Sequence, residues 1–416
     1  MSAEQGGHTN TYTDPETGKA FNYGVQSYVD YKGAKAFFQR FGIPLQTAVE
    51  FGSNTLNVDP NTGKLVPNVT ASLPLNSPLG IAALQRYYDV IVPWNDILLP
   101  GYWNFPPGNQ IPPDLLLPFS DFVKKYNLSD MASIISVVSG QDVNSPDPTL
   151  FVVKNFGSTI AEGFLNNTFF DPAPFDNSLL YGNATRLLGK DVLLNTTLIE
   201  ANRTDHGISL VVEDLRTGVR TSVNAKRLLV ASEPSIDNLA PLGLDGQEKA
   251  VFSTWSRGFG TVYTAVLKTN FVPDNTSVSF VTPANSTSAP KTYSFSIMWN
   301  GAPGYFWLIF SSQKNLTETE AKETILGQVK TLYEGGAFPV IGGSTPDSEV
   351  VAISSHSSVG WGQSVEQLKA GFIQDLYALQ GHNNTWYTGL LWCPDYSSHV
   401  WAFTDTVLPR MLEGID

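Results

Sequence analysis

Near the amino terminus apolar and polar positions alternate in two short runs. Residues 8–13 and 19–23 predict two strands joined by the turn Asp14-Pro15-Glu16-Thr17-Gly18, and the period becomes helical over 32–41. Residues 54–69 predict a second hairpin, turning at Asp59-Pro60-Asn61-Thr62-Gly63. From Ser77 the pattern changes. Ser77-Pro78 is a helix start, with Ile81, Leu84, Tyr88 and Ile91 at helical spacing behind it. A proline-rich stretch over 93–118 leads to a helix with an apolar face of Phe119, Phe122, Val123 and Tyr126, and helical patterns recur over 130–138 and 157–165.

The second half of the chain is richer in strands. Residues 192–201, 208–213 and 219–223 alternate, with Arg216-Thr217-Gly218 at a turn, and 227–234 reads as a buried strand that exits sharply at Pro234. Long strands are predicted over 261–268, 292–299 and 305–310, as one mixed sheet. Two helices follow with capping-box signatures, Thr317 with Glu320 and Ser364 with Gln367, the second running to Gly381. No internal repeat interrupts this order.

Composition narrows the function classes. A chain of 416 residues with 42% apolar and 15% charged residues is folded and large enough for one complex domain or two interleaved ones. A net charge of −13 argues against nucleic acid and against an electrostatic hold on anionic membranes. No run of about 20 apolar residues predicts a transmembrane helix. The single cysteine, Cys393, excludes an internal disulfide. Sequons stand at Asn68, Asn127, Asn166, Asn183, Asn195, Asn202, Asn275, Asn285, Asn315 and Asn383, against about four or five expected by composition, and point to passage through a secretory compartment. Residues 1–5 are polar and form no signal peptide.

The histidines His8, His206, His356, His382 and His399 form no H-x-H, H-E-x-x-H or Cys/His pair, so no metal site is expected. His206 and His382 fall in sequon-rich loops and are expected to be solvated. No G-x-S-x-G elbow is present, which disfavours a serine hydrolase.

The chain's first segment is its most specific. Gly6-Gly7-His8-Thr9-Asn10-Thr11-Tyr12, then the hairpin, then Gly24-Val25-Gln26 and a helix, resembles the second cofactor-binding segment of the flavin amine oxidase superfamily and its fungal branch of β-cyclopiazonate dehydrogenase-like enzymes. A double glycine admits backbone amides to a phosphate because no Cβ intervenes. A second resemblance lies at the carboxy terminus, in Trp386-Tyr387-Thr388-Gly389, Ser397-Ser398-His399-Val400-Trp401 and Val407-Leu408-Pro409. The family's first unit, a strand and a G-x-G-x-x-G turn, is not found here. Only residues 1–5 precede the glycine pair, and an amino-terminal piece carrying that unit and a signal sequence is expected to be missing.

The resemblance implies an α/β (α+β) fold with FAD as cofactor. A Rossmann-like FAD-binding domain, incomplete at its start, would comprise residues 1–70, 176–245 and 380–416, and a helical and mixed-sheet substrate domain 71–175 and 246–379. Cofactor contacts would come from Gly6, Gly7, His8, Thr9, Gly24 and Val25, from Thr197 and Leu198 beside the adenine, and from Gly389. Backbone donors of a helix starting at Ser398, His399, Val400 and Trp401 would stabilise charge on the reduced flavin. Two departures stand out. Leu390 follows Gly389 where an acid is usual, and Tyr263 or Thr264 stands where many amine oxidases place a lysine on the roofing strand. Tyr263 and His356 are the candidate catalytic side chains, and His8 and Cys393 are conceivable covalent anchors. The implied activity is dehydrogenation of a small organic substrate in fungal secondary metabolism by hydride transfer to flavin, with oxygen or another acceptor. Alternatives are an inactive flavin-free glycoprotein and a secreted amine or amino-acid oxidase.

Overall fold

The computed structural model describes residues 7–49, 53–67, 77–131, 134–135, 146–257, 261–281, 293–338, 347–357 and 361–415. The chain opens with the hairpin β1 (Thr11–Thr13) and β2 (Ala20–Asn22), followed by α1 (Ala34–Arg40), β3 (Leu45–Thr47) and β4 (Asn54–Val58). The Asp14 carboxylate closes the hairpin turn by accepting the N–H groups of Glu16 and Thr17 at 3.0 and 2.7 Å. An Asx turn of this kind supplies the backbone with partners where the strand ladder stops.

Helices then take over: α2 (Pro78–Ile91), α3 (Asn95–Leu98), α4 (Phe119–Lys125), α5 (Thr149–Asn155) and α6 (Ser158–Asn166). Ser77 caps α2 by accepting the Gly80 N–H at 3.0 Å, with Pro78 in the first turn. Its buried face is Gly80, Ala83, Leu84, Tyr87 and Ile91; Ile81 is exposed and Tyr88 half-buried, so the face is rotated from the expected one. Of the apolar face expected at Phe119, Phe122, Val123 and Tyr126, the first three are buried and Tyr126, the residue that ends the helix, is half-buried. Much of the 130–138 helix lies outside the described residues.

The chain continues through β5 (Phe170–Pro172), α7 (Ser178–Leu188), the meander β6 (Thr196–Thr204), β7 (Gly207–Asp214) and β8 (Arg220–Ala225), then β9 (Leu228–Val230), α8 (Ile236–Leu239) and α9 (Gly246–Phe252). After β10 (Ser256–Arg257) come β11 (Thr261–Thr269), β12 (Thr276–Phe280), β13 (Tyr293–Ala302), β14 (Tyr305–Ser312), α10 (Glu318–Glu334), β15 (Ser348–Ser357) and β16 (Trp361–Gly362). The last elements are α11 (Val365–Lys369), α12 (Phe372–Tyr377), β17 (Thr385–Tyr387) and α13 (Ser397–Leu412).

Six strands form the large mixed sheet, in the order β15-β11-β14-β13-β12-β4. Only the β12–β4 pair is parallel. β4 therefore belongs to this sheet, and residues 54–58 depart from the grouping that put 1–70 wholly with the cofactor segments. The expected single helix from Ser364 to Gly381 is broken in two by Gly371, which sits at φ 103°. Ser364 Oγ does accept the Gln367 N–H, but Gln363, not Gln367, returns the bond to the Ser364 N–H.

Period-two alternation splits the sheet's side chains between its two faces. Tyr263, Ala265, Leu267, Phe306, Leu308 and Phe310 pack with Ala321, Ile325, Val329 and Leu332 of α10. The opposite face carries Val266 and Tyr305, against which the hairpin packs Phe21. A third core joins Tyr28, Phe38, Phe170 and Leu180. The largest core joins the helical block to β9, β17 and α13, through Tyr87, Phe122, Phe156, Val230, Tyr387 and Phe403.

Candidate functional site

The Gly7–Val25 segment closes on itself beyond the hairpin ladder. Val25 N–H donates to His8 O at 2.7 Å, and Tyr23 N–H to Asn10 O at 2.9 Å. A Cβ at Gly24 would stand 1.8 Å from the His8 oxygen, which restricts this position to glycine. Gly7 has φ 52°, with open space where a Cβ would point. Thr9 is buried and His8 exposed; Gly6 lies outside the described residues.

Above this segment lies the face of the mixed sheet turned away from α10. Trp307 Nε1 donates to Tyr23 O at 3.3 Å, which fixes the sheet over the glycine segment. The His8 and His356 rings meet edge-to-face, with centroids 4.4 Å apart. His356 Nε2 is 3.1 Å from Thr264 Oγ1 on the neighbouring strand. Burial, then the nearby His8, pushes the His356 pKa down to about 4, so the ring is neutral at pH 7. Tyr263 is a correction. Its side chain faces α10, buried, and its hydroxyl donates to Leu316 O at 2.8 Å while accepting the Leu316 N–H at 2.7 Å. Strand alternation puts its neighbour Thr264, not Tyr263, on the site face.

α13 meets the residues that follow this segment, Tyr28 to Tyr31. Ser398 Oγ donates to Val29 O at 2.7 Å, and the His399 ring stacks on Tyr31 at 4.6 Å. His399 Nε2 lies 2.7 Å from Thr159 Oγ1, and burial pulls its pKa down to about 3. The Trp401 ring stacks on Tyr28 at 5.6 Å and its Nε1 donates to Tyr181 Oη at 3.1 Å. The expected donors need a shift of register. The N–H groups of His399 and Val400 both donate to Tyr396 O at 2.9 Å, and Trp401 lies a full turn in. Those of Ser397 and Ser398 are the donors left at this helix end.

The third wall is the parallel pair β9–β17, extended by Thr388 N–H donating to Val230 O at 2.9 Å. Gly389 follows at φ 116°, beside Ala231 O. Cys393 is fully buried with Sγ 3.5 Å from Gly389 O, and burial pushes its thiol pKa up, so it carries no reactive thiolate. Thr197 and Leu198 lie on β6 at a register shift of the meander, half-buried, with Leu198 packed on the main core. Arg203 of the same strand reaches Thr385 Oγ1 of β17 at 3.2 Å. His382 is not simply solvated. Its Nε2 lies 2.6 Å from Asp245 Oδ2, whereas His206 is exposed.

Buried polar atoms without partners gather around these walls. Asn10 Oδ1, Tyr28 Oη, Asn177 Oδ1, Glu233 Oε1 and His399 Nδ1 belong to the glycine segment, its contacts, the exit of β9 or the start of α13. Such groups are costly unless something polar meets them. The neutral donors here, the N–H groups of Ser397 and Ser398 and the Tyr28 hydroxyl, fit an organic dinucleotide. Among the described residues no group of His, Cys, Asp and Glu could hold a metal ion. Among the sequons, Asn127, Asn166, Asn202, Asn275 and Asn315 are exposed, Asn183, Asn195 and Asn383 half-buried, and Asn68 and Asn285 outside the described residues.

Two features escaped sequence reading. Arg203 forms a buried bidentate pair with Glu248, at 2.6 and 2.7 Å, to which Tyr387 Oη donates at 2.7 Å. The Asp245-x-x-Glu248 capping box was a legible signal for the helix that carries Glu248. The other is Lys154, a buried lysine after the apolar run Leu150–Val153.

No protein-family model matches the chain. It is 31% identical over 425 residues to FAD-dependent oxidoreductase pigF of Monascus ruber, covering 100% of this chain and 86% of that one. It is 29% identical over 408 residues to beta-cyclopiazonate dehydrogenase of Aspergillus flavus, covering 98% and 85%. A triple mutant of putrescine oxidase superimposes with a TM-score of 0.59 at 14% identity, covering 98% of this chain and 91% of that one, which shows a shared amine oxidase-type fold.

Proposed function

This chain belongs to the family of fungal FAD-dependent oxidoreductases, and from that premise we propose how it holds FAD and what it oxidises. The carrying observation is convergence. Three contacts join residues distant in sequence: Tyr23, in the stretch His8 to Val25, lies under the mixed sheet at Trp307, the next residues Val29 and Tyr31 pack against Ser398 and His399, and Val230 and Ala231 lie beside Thr388 and Gly389, with Val29 and Val230 in one core. Gly7, His8, Thr9, Gly24 and Val25 line the first, and the N–H groups of Ser397 and Ser398 end the second. Residues near Thr197 and Leu198 are assigned to the adenine side.

Bound there, FAD supplies the acceptor for a hydride from an activated C–H bond of the substrate. The protein's part is positional and electrostatic. Around His8 the sheet face presents Thr264, Trp307 and the neutral His356, which offer a substrate hydrogen bonds and an apolar ring; the lysine of this face, Lys268, lies instead over the Tyr305 ring. The start of α13 directs backbone N–H groups and a helix dipole at developing negative charge. We assign as substrate a small organic compound of fungal secondary metabolism, with oxygen or another acceptor to complete turnover. The exposed sequons support passage through a secretory compartment. A redox titration of the purified protein, repeated with Ser398→Pro, tests the site: the proline removes one of the two remaining N–H groups, and a lowered flavin potential is expected. An unchanged potential in a folded variant would place the flavin elsewhere.

A further inference from the structure

A narrow cavity of about 10 Å³, room for one water-sized group, lies between the helical block and the segment 394–399. Asn95, Lys154, Ser158, Thr159, Tyr396 and His399 line it. Its chemistry is one-sided. Lys154 is 7% exposed and, among the described residues, makes no ion pair. Desolvation pulls its pKa down, while Asp395 and Cys393 act in the opposite direction from beyond ion-pair range. Cys393 is a buried thiol held neutral, which leaves half-buried Asp395 as the nearby acid.

One helix, α6, begins on this cavity. The N–H groups of Ile160 and Ala161 turn back to Gly157 O, so those of Ser158 and Thr159 are the donors left at the start of α6. That end carries about half a positive charge. Tyr396 and His399 wall the other side. His399, 1% exposed, lines the same space with Nδ1 unpartnered. When the Thr159 hydroxyl donates to its Nε2, the ring proton resides on Nδ1 and makes it a further donor. A buried ammonium costs several kcal/mol without a counter-charge, and nothing in the catalytic reading uses it.

The geometry points to an anion subsite: Lys154, the start of α6 and His399 bind one anionic oxygen of an organic-acid substrate, in particular a carboxylate. Anion binding stands on the cavity itself; its assignment to the substrate rests on the oxidoreductase reading above.

The test is calorimetric titration of the flavin-loaded protein with acetate and with its neutral isostere acetamide, in wild type and Lys154→Met. Methionine keeps the length and apolar stem of lysine, so the variant should fold. Acetate should bind and acetamide should not, and Lys154→Met should weaken acetate about tenfold or more, as expected for losing a charged hydrogen bond. Its flavin content and visible spectrum should not change. Equal binding of acetate and acetamide by the wild type would overturn the inference even if the variant failed to fold. So would undiminished acetate binding by Lys154→Met. Loss of flavin from a folded Lys154→Met would assign the lysine to the cofactor and overturn the subsite. Absence of flavin from the wild type would instead overturn the oxidoreductase reading, while the acetate contrast would still report on the cavity.

Discussion

His8 and His356, from opposite ends of the chain, pack edge-to-face at 4.4 Å, and this contact closes the glycine-rich segment against the mixed sheet. One ring is exposed and the other buried. The contact couples the segment proposed to hold flavin to the face proposed to meet substrate.

Acid should loosen this arrangement from pH 6.5 downward. His356 and His399 have folded pKa values lowered to about 4 and about 3. The unfolded chain therefore binds more protons over that range, and the stability these rings contribute, complete above about pH 6.5, is lost as pH drops towards those values. Asp14, held at about 2 by the Tyr305 hydroxyl first and the turn N–H groups next, loses its contribution only below about pH 4. Urea midpoints measured from pH 7.5 to 4.5 should fall steadily in wild type and less steeply in His356→Phe. Parallel slopes would contradict the neutral, buried state of His356.

Breaking the Arg203–Glu248 pair should be costly. The two side chains are 3% and 0% exposed, and the pair joins β6 to α9 and, through Tyr387, to β17. Arg203→Met strands a buried carboxylate, with an expected loss of about 3–5 kcal/mol in denaturant unfolding. Arg203→Met with Glu248→Leu should recover much of that loss. A single variant within about 0.5 kcal/mol of wild type would show that the pair is not buried as described.

Tyr263→Phe should act on stability and leave the site alone. It removes the hydroxyl shared with Leu316 N and O, at a cost of about 1–3 kcal/mol, because that loop backbone is left underbonded. Flavin content and turnover per flavin should equal wild type. A fall in turnover without a fall in stability would restore Tyr263 to the active site.

How much of this was legible in the sequence depends on how local the signal was. The hairpin turn at Asp14, the Ser77 cap, the Thr317 capping box and the long strands from Thr261 to Ser312 are set by neighbours in sequence, and the fold has them. Position on a face was harder. Helical spacing made Ile81 and Tyr88 look buried, but the choice between adjacent faces is made by tertiary partners, and these select Tyr87 and Ala83. Tyr263 and Thr264 differ by one position in a strand, and period two sends them to opposite sides of the sheet. The GGHT segment at the amino terminus and the Gly389 segment near the carboxy terminus were readable as a pair only by resemblance. Ser398 and His399 were read as backbone donors, yet their side chains are committed to Val29 and Thr159, partners that no spacing could have named. Lys154 gave no periodic signal at all, because a charge in an apolar run becomes informative only once its surroundings are known.

The central claim is that the chain carries FAD on the surface between Gly7, Ser398 and Gly389. The most direct measurement is the visible absorption of the purified protein after expression with ample riboflavin and gel filtration, with the bound pigment released and identified. The account predicts about one FAD per chain, released on unfolding, and a lower occupancy at equal FAD concentration in Gly24→Val, whose side chain would be forced into the His8 carbonyl. A cooperatively folded wild-type protein that takes up no FAD, or one whose occupancy is the same in a folded Gly24→Val variant, would contradict it.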